Sequence, residues 1–166
     1  MSSAGEARVR DAVPEDRDVL VEFARAMARE TEHKELDLAT VRAGVAALLA
    51  DPARGRVLVV ECDGRAAATL MLTYEWSDWR NGTFWWIQSV YVAPEHRRRG
   101  LYRMLHEHVR ELAHATPEVC GLRLYVEREN VTAQATYRRM GMGEAAYLMF
   151  EEEIRRGESK ELDIQV

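Results

Sequence analysis

No stretch of this chain is apolar for long enough to cross a membrane as a helix, and its first residues, MSSAGEARVR, lack a signal-peptide core. The expected location is the cytoplasm. Cysteine is scarce: Cys62 and Cys120 have neither metal spacing nor the pattern of a disulfide framework, so reduced, packed thiols are expected. Histidine offers no metal site either. His106 and His108 are two apart, which on a helix turns them to different faces, and His114 lies further on. There is no internal repeat, low-complexity block or composition shift that marks a second domain. Excess positive charge is also missing: the net charge of −5 argues against general nucleic-acid binding. What is present is 166 residues, 47% hydrophobic and 31% charged, which suits one soluble domain with a sizeable core.

Periodicity divides the chain into alternating elements. Residues 7–12 read as a short strand, and Pro14-Glu15-Asp16 as the start of a helix carrying Val19, Leu20, Phe23, Ala24 and Met27 on one face. A polar stretch, 29–37, breaks that face. Asp37 is the expected N-cap of a second helix, which stops at Asp51-Pro52 because proline disfavours helix in the residue before it. An antiparallel run follows: strand 56–62, a hairpin turn at Asp63-Gly64, strand 65–76, a polar tip, and a central strand 83–92. Then come a helix from Leu101, a strand over 122–126, a helix over 132–140 ended by Gly141, and a closing strand over 147–151. The core thus spans about 7–151 of a single domain covering 1–166, and the tail 152–166 is charged, with 162–166 a candidate edge strand.

The segment WWIQSVYVAPEHRRRGLYRM, 85–104, concentrates the chemistry. A strand runs into the basic loop Arg97-Arg98-Arg99-Gly100 and then into the N-terminus of a helix. First-turn N–H groups have no helical acceptor, the helix dipole favours negative charge, and a glycine lets backbone approach a phosphate. This is a recipe for an anion site. A solvated basic turn before an ordinary helix is the plainer alternative. Further on, Asn130 and Tyr137 are seven residues apart, about two helical turns, so both lie near one face about 10 Å apart along the axis. They suit the two ends of an extended ligand arm, or equally a helix cap and a half-buried aromatic.

Together these segments resemble the GCN5-related N-acetyltransferase (GNAT) family. Arg97-Arg98-Arg99-Gly100-Leu101-Tyr102 is similar to its pyrophosphate signature, with Tyr102 in place of a second small residue. Asn130-x-x-Ala133-x-x-x-Tyr137-x-x-x-Gly141-Met142 is similar to its second motif, with Met142 in place of phenylalanine. The resemblance covers residues 7–151 and implies the family's fold: an α/β domain with a mixed, mostly antiparallel central sheet flanked by about four helices. It implies acetyl-CoA as co-substrate, with no metal, and acetyl transfer to a primary amine by direct attack in a ternary complex.

Site roles follow from the same resemblance. Backbone from Arg99 to Arg103, including Gly100, Leu101 and Tyr102, would hold the pyrophosphate, assisted by Arg97 or Arg98 as charged donors. Val90, Tyr91 and Val92 would flank the pantetheine arm, with a bulge near them and an N–H there for the developing oxyanion. Asn130 would grip the arm, and Tyr137, with an ordinary pKa near 10, would protonate the leaving thiolate. Many relatives carry a carboxylate on the central strand, but here that stretch is Ile87-Gln88-Ser89-Val90. The candidate bases are therefore Glu30 and Glu32, with Glu75 as a third acid. The acceptor side would comprise Glu30, Glu32, Glu75, Trp86 and Gln88, and the acids of the helix connection would favour a small cationic amine. Trp76, Trp79, Trp85 and Trp86 are sheet packing or a pocket wall. The partners expected are acetyl-CoA and the amine, with no nucleic acid and no membrane, in a monomer or homodimer. Two other readings stand beside this one: a non-catalytic acyl-CoA-binding regulatory module, and a small nucleic-acid-binding domain using Arg97–Arg99.

Overall fold

The computed structural model describes residues 7–154. Five strands form one sheet in chain order: β1 (Arg8–Asp11), β2 (Arg56–Cys62), β3 (Arg65–Ser77), β4 (Gly82–Val92) and β5 (Val119–Arg123). The first four are antiparallel neighbours, and β5 alone runs parallel, beside β4. The helices are α1 (Arg17–Glu32), entered through a 3-10 turn at Pro14–Asp16, α2 (Leu38–Ala50), α3 (Leu101–Ala115) and α4 (Val131–Arg139). Contacts divide the chain into two units, Met1–Tyr125 with the sheet and α1 to α3, and Val126–Val166 with α4.

The unbroken run Val57-Leu58-Val59-Val60 is apolar at every position because both faces of the sheet are covered. Leu58 and Val60 pack with Leu70, Leu72, Trp85 and Ile87 against Leu101, Leu105 and Val109 of α3. Val57 and Val59 face the other way, towards Leu20 of α1 and half-buried Val45 and Leu48 of α2. Asp37 caps α2 as its sequence predicts, accepting the Thr40 N–H at 2.7 Å.

In the second unit, Asn130 caps α4 by accepting the Ala133 N–H at 3.0 Å. The helix stops in a pair of reversed bonds, Met142 N–H to Tyr137 O and Gly141 N–H to Arg138 O, both 3.0 Å, with Gly141 at φ 88°. Part of the Tyr137-x-x-x-Gly141-Met142 spacing is therefore helix termination.

Several expectations shift. The parallel strand lies at Val119–Arg123, three residues before the predicted 122–126. Gly121, which weakens a strand reading, is the contact itself, since a Cβ there would sit 2.7 Å from the Phe84 ring. The closing strand expected at 147–151 does not form among the described residues, where Tyr147 and Phe150 are 79% and 91% exposed. Strand propensity is expressed only against a partner that takes up the backbone groups. Cys62 is buried, but Cys120 is exposed rather than packed. The edge strand suggested for 162–166 lies outside the described residues.

Candidate active site

The site begins with a change of parity in β4. Thr69 pairs with Tyr91 and Met71 with Gln88, so Leu70 alone opposes two residues, Ser89 and Val90. This is a β-bulge, and Ser89 adopts a left-handed φ of 49° to make it. Before the bulge, Trp85 and Ile87 lie on the α3 face; after it, Val90 and Val92 take that face. Tyr91 and Ala93 turn instead to α1, where Tyr91 packs on Phe23 with ring centroids 5.2 Å apart. Parallel pairing with β5 stops at Trp86 and Arg123, so 87–92 runs on past the end of that neighbour. Ala93 N–H is donated to Ala67 O on β3, so the backbone groups of Val92, one residue back, face the opposite, open edge.

The basic loop leaves β4 through a 3-10 turn at Pro94–His96. Arg98 and Gly100 are left-handed, at φ 60° and 78°, and curl the chain so that Gly100 becomes the N-cap of α3. The first intrahelical bond is Met104 N–H to Gly100 O, 3.0 Å, so the preceding N–H groups point out of the helix end. A Cβ on Gly100 would meet nothing within 4 Å, so glycine is required there by φ and not by packing.

The arginines differ in their commitments. Arg97 donates to Glu30 Oε2 at 2.6 Å and to the Val92 carbonyl at 3.0 Å, and its guanidinium lies 5.5 Å from the Tyr91 ring centroid. Tyr91 donates its hydroxyl to the other Glu30 oxygen at 2.9 Å. Glu30 is thus a clamp joining the end of α1, β4 and the loop, and Arg97 with Tyr91 holds its carboxyl below the usual carboxylate range. Arg99 lies 2.8 Å from His96 Nδ1, and Arg103 pairs with Glu107 at 2.7 Å. Arg98 is exposed and has no side-chain hydrogen bond or ion pair among the described residues.

The remaining sequence-predicted residues separate. Glu32, exposed at the end of α1, pairs with Lys34 at 2.8 Å. Glu75 is bound by Arg123 and by Trp86 Nε1 at 3.0 Å, and Trp86 packs on Tyr125 with centroids 5.3 Å apart. Gln88 donates to Thr73 Oγ1 at 2.6 Å. The four tryptophans form no single wall: Trp85 is buried on the α3 face, Trp86 faces Glu75, and Trp76 and Trp79 are 64% and 87% exposed at the hairpin tip. Asn130 and Tyr137 belong to the second unit. His106 is buried 3.4 Å from the Tyr102 hydroxyl, and no group of three metal-binding side chains occurs among the described residues.

A feature that sequence reasoning missed lies beside the bulge. Leu20, Phe23 and Met27 of α1, Val45 and Leu48 of α2 and Met71 of β3 enclose an apolar cleft of about 440 Å³, part of it open to solvent. Ser89, Thr69 and Tyr91 form its sheet-side wall.

Known proteins share this fold. Residues 18–142 match the model of the acetyltransferase (GNAT) family. A solved structure from Clostridium difficile 630, described as a possible acetyltransferase, is 43% identical, with a TM-score of 0.86 over 90% of this chain and 99% of that one. A ribosomal-protein-alanine N-acetyltransferase from Brucella melitensis biovar Abortus 2308 shares the fold at 14% identity, with a TM-score of 0.74 over 90% of this chain and all of that one, 100%. An aminoglycoside acetyltransferase, HMB0005, from an uncultured soil metagenomic sample shares it at 18% identity and TM-score 0.68, covering 90% and 99%. No curated protein matches the chain.

Proposed function

The chain belongs to the GNAT family of acetyltransferases, and on that premise we propose that it carries acetyl from acetyl-CoA directly to a primary amine held beside β4. The observation that carries this reading is the join of a bulged strand to an anion-binding helix end, with Ser89 and Gly100 left-handed on either side. The pyrophosphate is taken by the N–H groups of the first turn of α3, across Gly100 to Arg103, with Arg98 as the charged donor still available. Arg97 acts as a positioning residue, because its guanidinium is committed to Glu30 and Val92. The amides of the pantetheine arm pair with the open edge of β4 as a peptide adds to a sheet, and Asn130 is the amide side chain that would grip the arm.

The amine nitrogen forms a bond to the thioester carbon, and the oxygen it charges accepts from the Val92 N–H. Collapse breaks the carbon–sulfur bond, and Tyr137 donates its proton to the departing thiolate. The products are an N-acetyl amide and free CoA. The ammonium gives one proton to water before it attacks, and the second proton, shed by the nitrogen after attack, restores the Tyr137 hydroxyl by way of water. Glu30 is a poor base because Arg97 and Tyr91 favour its ionised, bonded form, while Glu32 and Glu75 are each engaged in an ion pair. Those pairings also dissipate the pull on a cationic acceptor that the acids of the helix connection suggest in the sequence.

Acetyl-CoA at a hundred times its Kd should stabilise the protein by about 2.7 kcal/mol, seen as a rise in melting temperature. Gly100→Val should abolish that rise, and Tyr137→Phe should keep it while turnover falls by about 10²-fold. Equal thermal shifts with and without Gly100 would remove the loop from the site. Acetyl-CoA binding with no turnover on any amine would instead favour a regulatory acyl-CoA-binding module, the reading suggested by the acid-free stretch 87–90.

A further inference from the structure

The cleft beside the bulge is lined in a way that selects the acceptor. Its two hydrogen-bonding side chains besides Ser89 are already satisfied: Thr69 donates to Leu58 O at 3.1 Å, and Tyr91 donates to Glu30. Among the described residues no carboxylate, amide or basic group lines it. The helix that roofs it is anomalous. Leu38–Ala50 reads LATVRAGVAALLA, apolar nearly all round, yet none of its residues is fully buried. A helix of that composition normally lies inside a core. Here Val45 and Leu48 pack in part on Leu20, Val57 and Val59 and in part line the cleft.

We infer that this cleft takes an alkyl or aryl group carried by the acceptor, so that the substrate class is a monoamine with an apolar substituent rather than a polyamine or an amino sugar. The inference rests on the acetyltransferase reading for where the amine must lie, and on the cleft alone for what surrounds it. Ser89, a bulge residue whose hydroxyl has no side-chain partner among the described residues, lines the cleft. An amine at the bulge therefore has its substituent directed towards Phe23, Met27 and Met71. A second ammonium group placed there would be buried without a counter-charge, which is strongly unfavourable. The same surroundings disfavour the protonated form of the reacting amine. An amine with a pKa near 10 is about a thousandfold more protonated than neutral at pH 7, and an apolar environment narrows that ratio where the stretch 87–90 supplies no carboxylate.

The test compares 2-phenylethylamine and 3-methylbutylamine with 1,4-diaminobutane, by calorimetry on the CoA-bound protein and by acetyl-CoA turnover. The apolar monoamines should bind and turn over at least about tenfold better, the scale set by a well-filled apolar pocket. Ala24→Phe, which projects a ring from α1 into the cleft, should weaken 2-phenylethylamine binding by about tenfold and leave the KM for acetyl-CoA unchanged. Val45→Thr, which keeps the shape and adds a hydroxyl on the half-buried α2, should weaken it several-fold if the larger change disturbs folding. Diaminobutane bound or acetylated as well as 2-phenylethylamine overturns the inference while leaving the acetyltransferase reading intact. So does full retention of 2-phenylethylamine affinity in both variants. Amine binding with the predicted selectivity but no acetyl transfer would support the cleft assignment and defeat the catalytic reading instead.

Discussion

At the scale of single residues, Glu30 holds the most contacts that bear on function. Its two carboxylate oxygens are divided between Tyr91 and Arg97, so one side chain fixes the bulged strand and the start of the basic loop to α1. A catalytic base would need a carboxylate ready to take a proton, and these neighbours push Glu30 the other way. Glu30→Gln should therefore act through position. The KM for acetyl-CoA should rise several-fold, with the amine KM and the acid limb of the pH–rate profile unchanged. Loss of that limb, with kcat down by about 10²-fold or more, would identify Glu30 as the base after all. The contacts span separations of 61 and 67 residues, so no local pattern in the sequence points to them.

Among the elements, those with strong local signals fall where the sequence puts them. Asp37 and Asn130 cap their helices, Asp63-Gly64 turns the first hairpin, and Gly141 ends α4. The last of these is testable. A Cβ on Gly141 would meet nothing within 4 Å, so Gly141→Val should cost only the left-handed conformation, about 1–2 kcal/mol, read as a lower urea midpoint. No change would mean that the helix end is not held in the native state. Elements without a local signal are misplaced, as the parallel strand is, or are expected only from the family resemblance, as the bulge is. The parallel strand is positioned by Phe84 lying against Gly121, and the bulge by a count of two residues against one across two strands. Neither can be read from one segment alone.

For the molecule as a whole, acid stability should decline in two steps. Burial holds the His106 imidazole below its ordinary value near 6.5, so between those values the unfolded chain binds a proton that the native chain does not. Stability is then full above about pH 6.5 and falls as the pH drops through the lowered native value. Asp11, Asp16, Glu30 and Glu61 are held below the usual carboxylate range by their arginine partners, so their contribution persists to about pH 4 and is lost beneath it. Urea midpoints measured from pH 8 to 3 should show both declines in the parent protein. His106→Leu should retain only the lower one, and an unchanged upper decline would exclude His106 as its source.

The sequence by itself determined the order of elements, the basic glycine loop 97–100 before a helix N-terminus and the family resemblance, because caps, turns and helical or strand periods act over a few residues. Tertiary structure decided which arginine is committed and which remains available. It also set the bulge that turns Tyr91 to α1 and Val90 and Val92 to α3, and it left α2 roofing an apolar cleft. Those outcomes depend on strand register and on which faces of distant elements meet. A shift of one residue in register reverses every side chain that follows, and single segments carry no record of their partner's register.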